Sequence, residues 1–89
     1  MANAHAIIKI RDMDDDMLHA LIAFATDAID TFDTAEAISD SIKTSMHNEF
    51  TGAWHCFAGR NFGASVTHEV GKSAYFYIGQ MGVMCWRTV

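Results

Sequence analysis

Residues 54–87 read WHCFAGRNFGASVTHEVGKSAYFYIGQMGVMCWR. Side-chain character changes here with a period of two, and glycine-bearing breaks divide the run. The pattern predicts strands at Trp54–Gly59, Phe62–His68, Ser73–Ile78 and Met81–Arg87. Gly59-Arg60-Asn61 forms a tight connection, and Gly79-Gln80 forms a hairpin turn. The strand from Phe62 is unusual because Gly63, Ala64 and Ser65 are small, so another backbone can come close. Val66 and Thr67 favour extended geometry. An open edge of this kind needs a neighbour. That neighbour is a strand of the same fold, an added peptide or a second protomer.

Upstream of Gly52 the period lengthens towards four. Asp14-Asp15-Asp16 precedes Leu18, Leu21, Ile22, Ala25, Ala28, Ile29 and Phe32, the stripe of an amphipathic helix. Asp14 is placed to cap it, with Asp15 and Asp16 at its positive end. Asp33 is placed to cap a second helix, with Glu36 at capping-box spacing. Ile38, Ile42, Met46 and Phe50 form that helix's narrow apolar face, and Gly52 supplies the exit. AHAIIKI, residues 4–10, alternates only loosely but suits a first strand. The order is β-α-α-β-β-β-β over a single domain, residues 1–89. The fold class is therefore α+β, a five-stranded antiparallel sheet packed against two helices, with the last four strands as antiparallel neighbours.

Both faces of the later strands are bulky. Tyr75 and Tyr77 alternate with Ala74, Phe76 and Ile78, and Met84 and Trp86 alternate with Val83 and Cys85. One face suffices for a half-buried sheet. The other aromatics either belong to a simple core or meet a second subunit or ligand.

Charge and composition narrow the function. The formal net charge is −5, and 51% of residues are apolar, too many for a disordered chain. Lys9, Arg11 and Lys43 stand against ten acids in residues 1–50, whereas Arg60, Lys72 and Arg87 stand against Glu69 in the remainder. No basic cluster exists, so neither nucleic acid nor an anionic membrane is an expected partner. No apolar run approaches the roughly eighteen residues of a membrane span. No signal peptide is expected either, because no basic segment leads into an apolar run and cleavage site. Cys56 and Cys85 fit no CxxC pattern, which suits an intracellular, reduced protein.

The candidate chemistries are weak. His55 and Cys56 are strand neighbours and point to opposite faces, so they do not form a nucleophilic pair. His5, His19, His47, His55 and His68 lack metal-ligand spacing. His68-Glu69 is half of a zinc-protease signature without its second histidine. The acids Asp12 and Asp14–Asp16 lack the spacing of a calcium loop. No cofactor or metal is expected, and no enzyme.

Trp54-His55-Cys56, Gly59-Arg60-Asn61-Phe62-Gly63, Val66-Thr67-His68-Glu69, Tyr75-Phe76-Tyr77 and Gly79-Gln80 together resemble the dynein light chain family of the LC-eight type. The likeness runs the whole length without a gap and includes Lys9, Asp12-Met13, Ile38 and Ile42-Lys43. It implies a non-catalytic, strand-exchanged homodimer. Each protomer would lend the strand from Phe62 to the other's sheet, creating two parallel grooves. Partner segments, often with a Thr-Gln-Thr-like core, would enter as an added strand; dynein intermediate chain is one such partner. The resemblance implies a groove built by Lys9, Glu36, Asn61, Phe62, Gly63, Ala64, Ser65, Val66, Thr67, His68, Ser73, Tyr75 and Tyr77. It implies a dimer interface at His55, Arg60, Phe62, Ser65 and Thr67, with His55 buried beside Thr67 of the other copy. The implied setting is the cytoplasm and cytoskeleton, in a dynein complex. An alternative is a dedicated structural subunit of a motor or ciliary complex that binds no general motif.

Four positions depart from the family pattern. Ser65 replaces a usual Tyr, Glu36 a Lys, Ser73 a Phe and Ala64 a Ser. Ser65 and Ser73 remove aromatic area, which is expected to weaken the dimer or the grip on peptide. Glu36 reverses a charge beside the pocket for glutamine, so acidic flanks should be less welcome.

Overall fold

The computed structural model describes residues 6–60 and 73–88. Within them the chain forms β1 (Ala6–Asp12), α1 (Asp15–Thr31), α2 (Ala35–Glu49), β2 (Ala53–Arg60), β3 (Ser73–Ile78) and β4 (Met81–Thr88). The described strands make one antiparallel sheet in the order β1-β3-β4-β2. The fold is α+β, as expected. The further strand expected at Phe62–His68 lies outside the described residues.

Two details of strand placement differ from the reading above. The strand expected at residues 4–10 continues to Asp12, pairing Arg11 with Ala74 and Asp12 with Ser73. The register shifts between Ile8 and Ile10, with Lys9 as the extra residue, so the loose alternation there is a bulge. Gly59 and Arg60, expected in a tight connection, instead continue β2 opposite Gly82 and Met81. β4 lies between β3 and β2, and β1 covers the far side of β3.

The helices begin where their donors find acceptors. Asp14 is the residue before α1, and its carbonyl accepts the Leu18 N–H at 2.9 Å. Asp14 thus holds the N-cap position as expected, but its side chain makes no cap bond. Arg11 pairs with Asp15 across that entry. The cap of α2 is Thr34, not Asp33. Thr34 Oγ1 accepts the Ala37 N–H at 3.1 Å. That register leaves Glu36 as the second helical residue, one position short of the capping-box site. Both helices end as the next amide closes the last turn, Phe32 N–H on Ala28 O and Phe50 N–H on Met46 O. Gly52 then turns the chain at φ +115°, a conformation glycine adopts without a Cβ clash.

The core lies between the helices and one face of the sheet. Leu18, Leu21, Ala25 and Ala28 enter it from α1, and Ile38, Ile42 and Met46 from α2. Trp54, Cys56, Ala58, Ala74, Phe76, Ile78, Val83 and Cys85 meet them from the strands. α2 packs on β2, and α1 packs on α2. Fully buried Leu, Ile and Phe side chains each contribute roughly 1.5–3 kcal/mol, so this layer carries most of the fold's stability.

Candidate partner-binding site

A strand's side chains alternate between faces, so the residues between the core positions point away from the helices. Register places His55 opposite Trp86, Phe57 opposite Met84, and Tyr75 opposite Met84 on its other flank. The result is an aromatic sheet face. Trp86 stacks with His55 at 5.3 Å between ring centroids and with Phe57 at 5.8 Å. Tyr75 and Tyr77 lie 5.6 Å apart, and the Tyr75 hydroxyl donates to Tyr77 at 3.0 Å. Phe57 is 59% exposed, as is Ile7 opposite Tyr77. Between these exposed ends Tyr75 and Met84 are buried, so exposed Phe57 at the β2 end is what marks a candidate contact.

The second element is the outer edge of β2. The Trp54 N–H donates to His47 Nε2 at 3.0 Å, and the Ala58 N–H donates to Ser39 Oγ at 2.9 Å. Both acceptors belong to α2, which therefore runs along that edge. Between helix and strand lies a hollow of about 440 Å³ lined by Ala35, Glu36, Ser39, Asp40, Cys56, Phe57 and Ala58. A neighbouring hollow of about 270 Å³ shares Ser39, Asp40, Cys56 and Phe57 and adds Lys43, His55 and Trp86. The groove thus opens at one end onto the aromatic face.

The expected groove residues divide between these places. Glu36 is exposed on the α2–β2 rim. Tyr75 and Tyr77 stand on the aromatic face, on a strand separated from β2 by β4. Lys9 is exposed on β1, at the opposite edge of the described sheet. Ser73 is fully buried, opposite both Asp12 and Trp86. One chain does not bring Glu36 to Lys9, Tyr75 or Tyr77. Of the expected interface residues, His55 is half-buried with its Nε2 3.2 Å from Thr88 Oγ1, and Arg60 is exposed at the end of β2. Asn61, Phe62, Gly63, Ala64, Ser65, Val66, Thr67 and His68 lie outside the described residues.

Phe57, Ser39 and Asp40 join the site without having been singled out in the sequence. The period of two marks Phe57 as a face residue. Nothing local marks Ser39, whose partner is nineteen residues away.

His55 and Cys56 point to opposite faces, as strand geometry requires. Cys56 instead sits opposite Cys85 on the core side. The Cys85 thiol is held far above the ordinary cysteine range. Its hydrogen bond with Cys56 contributes most, followed by burial and the charge Cys56 can carry. Among the described residues no three or more His, Cys, Asp or Glu side chains gather as a metal site. Among them, too, no helix is long and apolar enough to cross a membrane.

Solved structures share this architecture. The DLC-like domain of CsTAL3 superposes with a TM-score of 0.79 at 15% identity, covering 93% of this chain and 92% of that one. The dynein light chain-like domain of the Fasciola hepatica calcium binding protein FhCaBP2 gives 0.73 at 15% identity, covering 98% and 94%. A mercury derivative of the same domain gives 0.69 at 16% identity, covering 94% and 92%. At such identities the likeness establishes the fold alone. Family-level sequence similarity carries further: the model described as Dynein light chain type 1 matches residues 5–88. With nearly the entire chain so matched, this protein belongs to the dynein light chain family.

Proposed function

We propose that the protein is a non-catalytic homodimeric adaptor that binds short linear segments of partner proteins by strand addition. The observation that carries this reading is the division of the groove. Glu36 stands on the α2–β2 rim of one chain, while Lys9, Tyr75 and Tyr77 stand elsewhere on its sheet. A second copy laid on the aromatic face, lending residues 62–68 along the outer edge of β2, unites these residues in two symmetry-related grooves. Exposed Phe57, beside both the groove and Trp86, is then covered. The partners in this reading are proteins with Thr-Gln-Thr-like segments, including dynein intermediate chain. Its setting is the cytoplasm and cytoskeleton, as a dynein subunit.

A second reading is supported by Glu36, Ser65 and Ser73. These depart from the family pattern at the groove, and they suit a structural subunit of a motor or ciliary complex serving one dedicated partner. Calorimetric titration with a Thr-Gln-Thr peptide, with oligomeric state measured in the same buffer, separates the readings. Saturation at one peptide per chain of a dimer supports the adaptor. A dimer that binds nothing supports the dedicated subunit, and a monomer at all concentrations overturns both.

A further inference from the structure

We propose that Cys56 and Cys85 form a peroxide-sensitive dithiol, reached through the α2–β2 groove, that closes to a cross-strand disulfide beneath it. Three observations place the pair. The two residues are directly opposed in the β2–β4 register. Both thiols are free, and they share a side-chain hydrogen bond. Cys56 lines both hollows of the groove, whereas Cys85 lies behind it with no exposure.

The edge hydrogen bonds decide which kind of pair this is. Trp54 and Ala58 direct their N–H groups outward to α2, not to β4. Alternate residues of an antiparallel strand share that direction, so Cys56 is outward too and Cys56–Cys85 is a non-hydrogen-bonded pair. Such pairs hold their Cα atoms at about 4.5 Å, the closer of the two spacings. That lies within the roughly 4.4–6.8 Å that disulfides span. The bridge therefore forms without moving either strand far.

Access sets the order of events. Cys56 keeps 9% of its surface open to the groove, so it meets a small oxidant first. Its sulfur attacks a peroxide oxygen and the O–O bond breaks. The products are Cys56 sulfenic acid and, with hydrogen peroxide, one water. Cys85 sulfur then displaces the hydroxyl from Cys56, the S–S bond forms, and a second water leaves with the Cys85 proton. Two thiols are oxidised and one peroxide is reduced. The raised pKa of Cys85 keeps it a protonated thiol, which gives up its proton only as the S–S bond to oxidised Cys56 forms.

The test treats the full chain with hydrogen peroxide, then unfolds it in a thiol-alkylating reagent. The expected product is a single chain lighter by about 2 Da, resistant to alkylation until reduced. In Cys85→Ser the resolving thiol is gone, and Cys56 should be captured by dimedone as the sulfenic acid. Circular dichroism confirms that the variant is folded. Full alkylation of both thiols after treatment, chains linked to one another, or over-oxidised Cys56 in the wild type would each overturn the proposal. The wild-type mass change decides this even where the variant fails to fold.

Discussion

Ser39 Oγ accepts the Ala58 N–H at 2.9 Å and donates its own hydrogen to Ala35 O at 2.8 Å. One hydroxyl thus joins the first turn of α2 to the open edge of β2. Ser39→Ala leaves the Ala58 amide without that acceptor in a partly buried position. The expected loss is about 1 kcal/mol, read from denaturant midpoints at fixed protein concentration. A loss near zero would mean that water or an added strand takes over the amide at once.

Gly52 and Gly79 both have positive φ, but their surroundings differ. A Cβ on Gly52 would overlap Cγ and Cδ of Arg87. That arginine is tied down, its Nη1 donating to Thr51 O at 3.0 Å and its guanidinium lying 5.6 Å from the Trp54 ring centre. Gly79 has open space around it. Gly52→Ala should therefore cost roughly 2–4 kcal/mol, and Gly79→Ala about 1 kcal/mol from backbone conformation alone. Equal costs in thermal or urea unfolding would count against the clamp.

Phe57→Ser removes an exposed ring that the core does not use. The folded chain should lose less than about 0.5 kcal/mol, the ordinary effect of a surface change. The proposed dimer should weaken far more, since a central aromatic anchor is often worth about 2 kcal/mol or more, near thirtyfold in dissociation constant. Sedimentation over a concentration series measures the second effect. An unshifted monomer–dimer transition would remove the aromatic face from the interface.

Cys85 sets an alkaline limit. Its thiol resists ionisation in the fold but ionises near about pH 8.5 once unfolded. The folded chain then holds a proton that the unfolded chain releases. This group's contribution is complete below that pH and falls by about 1.4 kcal/mol per pH unit above it. Cys85→Val should flatten that decline relative to the wild type. Parallel urea-midpoint curves for the two proteins from about pH 8 to about pH 10 would contradict the assignment.

The helices were legible because Leu18, Leu21, Ala25 and Ala28, then Ile38, Ile42 and Met46, recur at a helix's own spacing. The strands were legible from the period of two, to within two residues at their described ends. Two features resisted reading for physical reasons. Asp33 and Thr34 are both good caps, and only the Thr34–Ala37 bond settles between them. The bulge at Lys9 is hidden in a run of isoleucines that offers no fixed phase. Strand order depends on contacts far apart in sequence, so placing β4 between β2 and β3 required the fold. The expected groove residues came from motifs, and their division over two surfaces of one chain was not legible there. Lys9, Glu36 and Tyr77 are scattered in sequence, and only the sheet order shows that one chain keeps them apart.

The two tryptophans stand on opposite sides of the sheet. Trp54 is 1% exposed, with Phe50 and Arg87 around it, while Trp86 lies between His55 and Phe57 on the aromatic face. Their emission bands overlap, so single-tryptophan variants are needed to tell them apart. In Trp86→Phe the remaining light follows the integrity of the helix-side core, and in Trp54→Phe it follows whatever comes to lie on the other face.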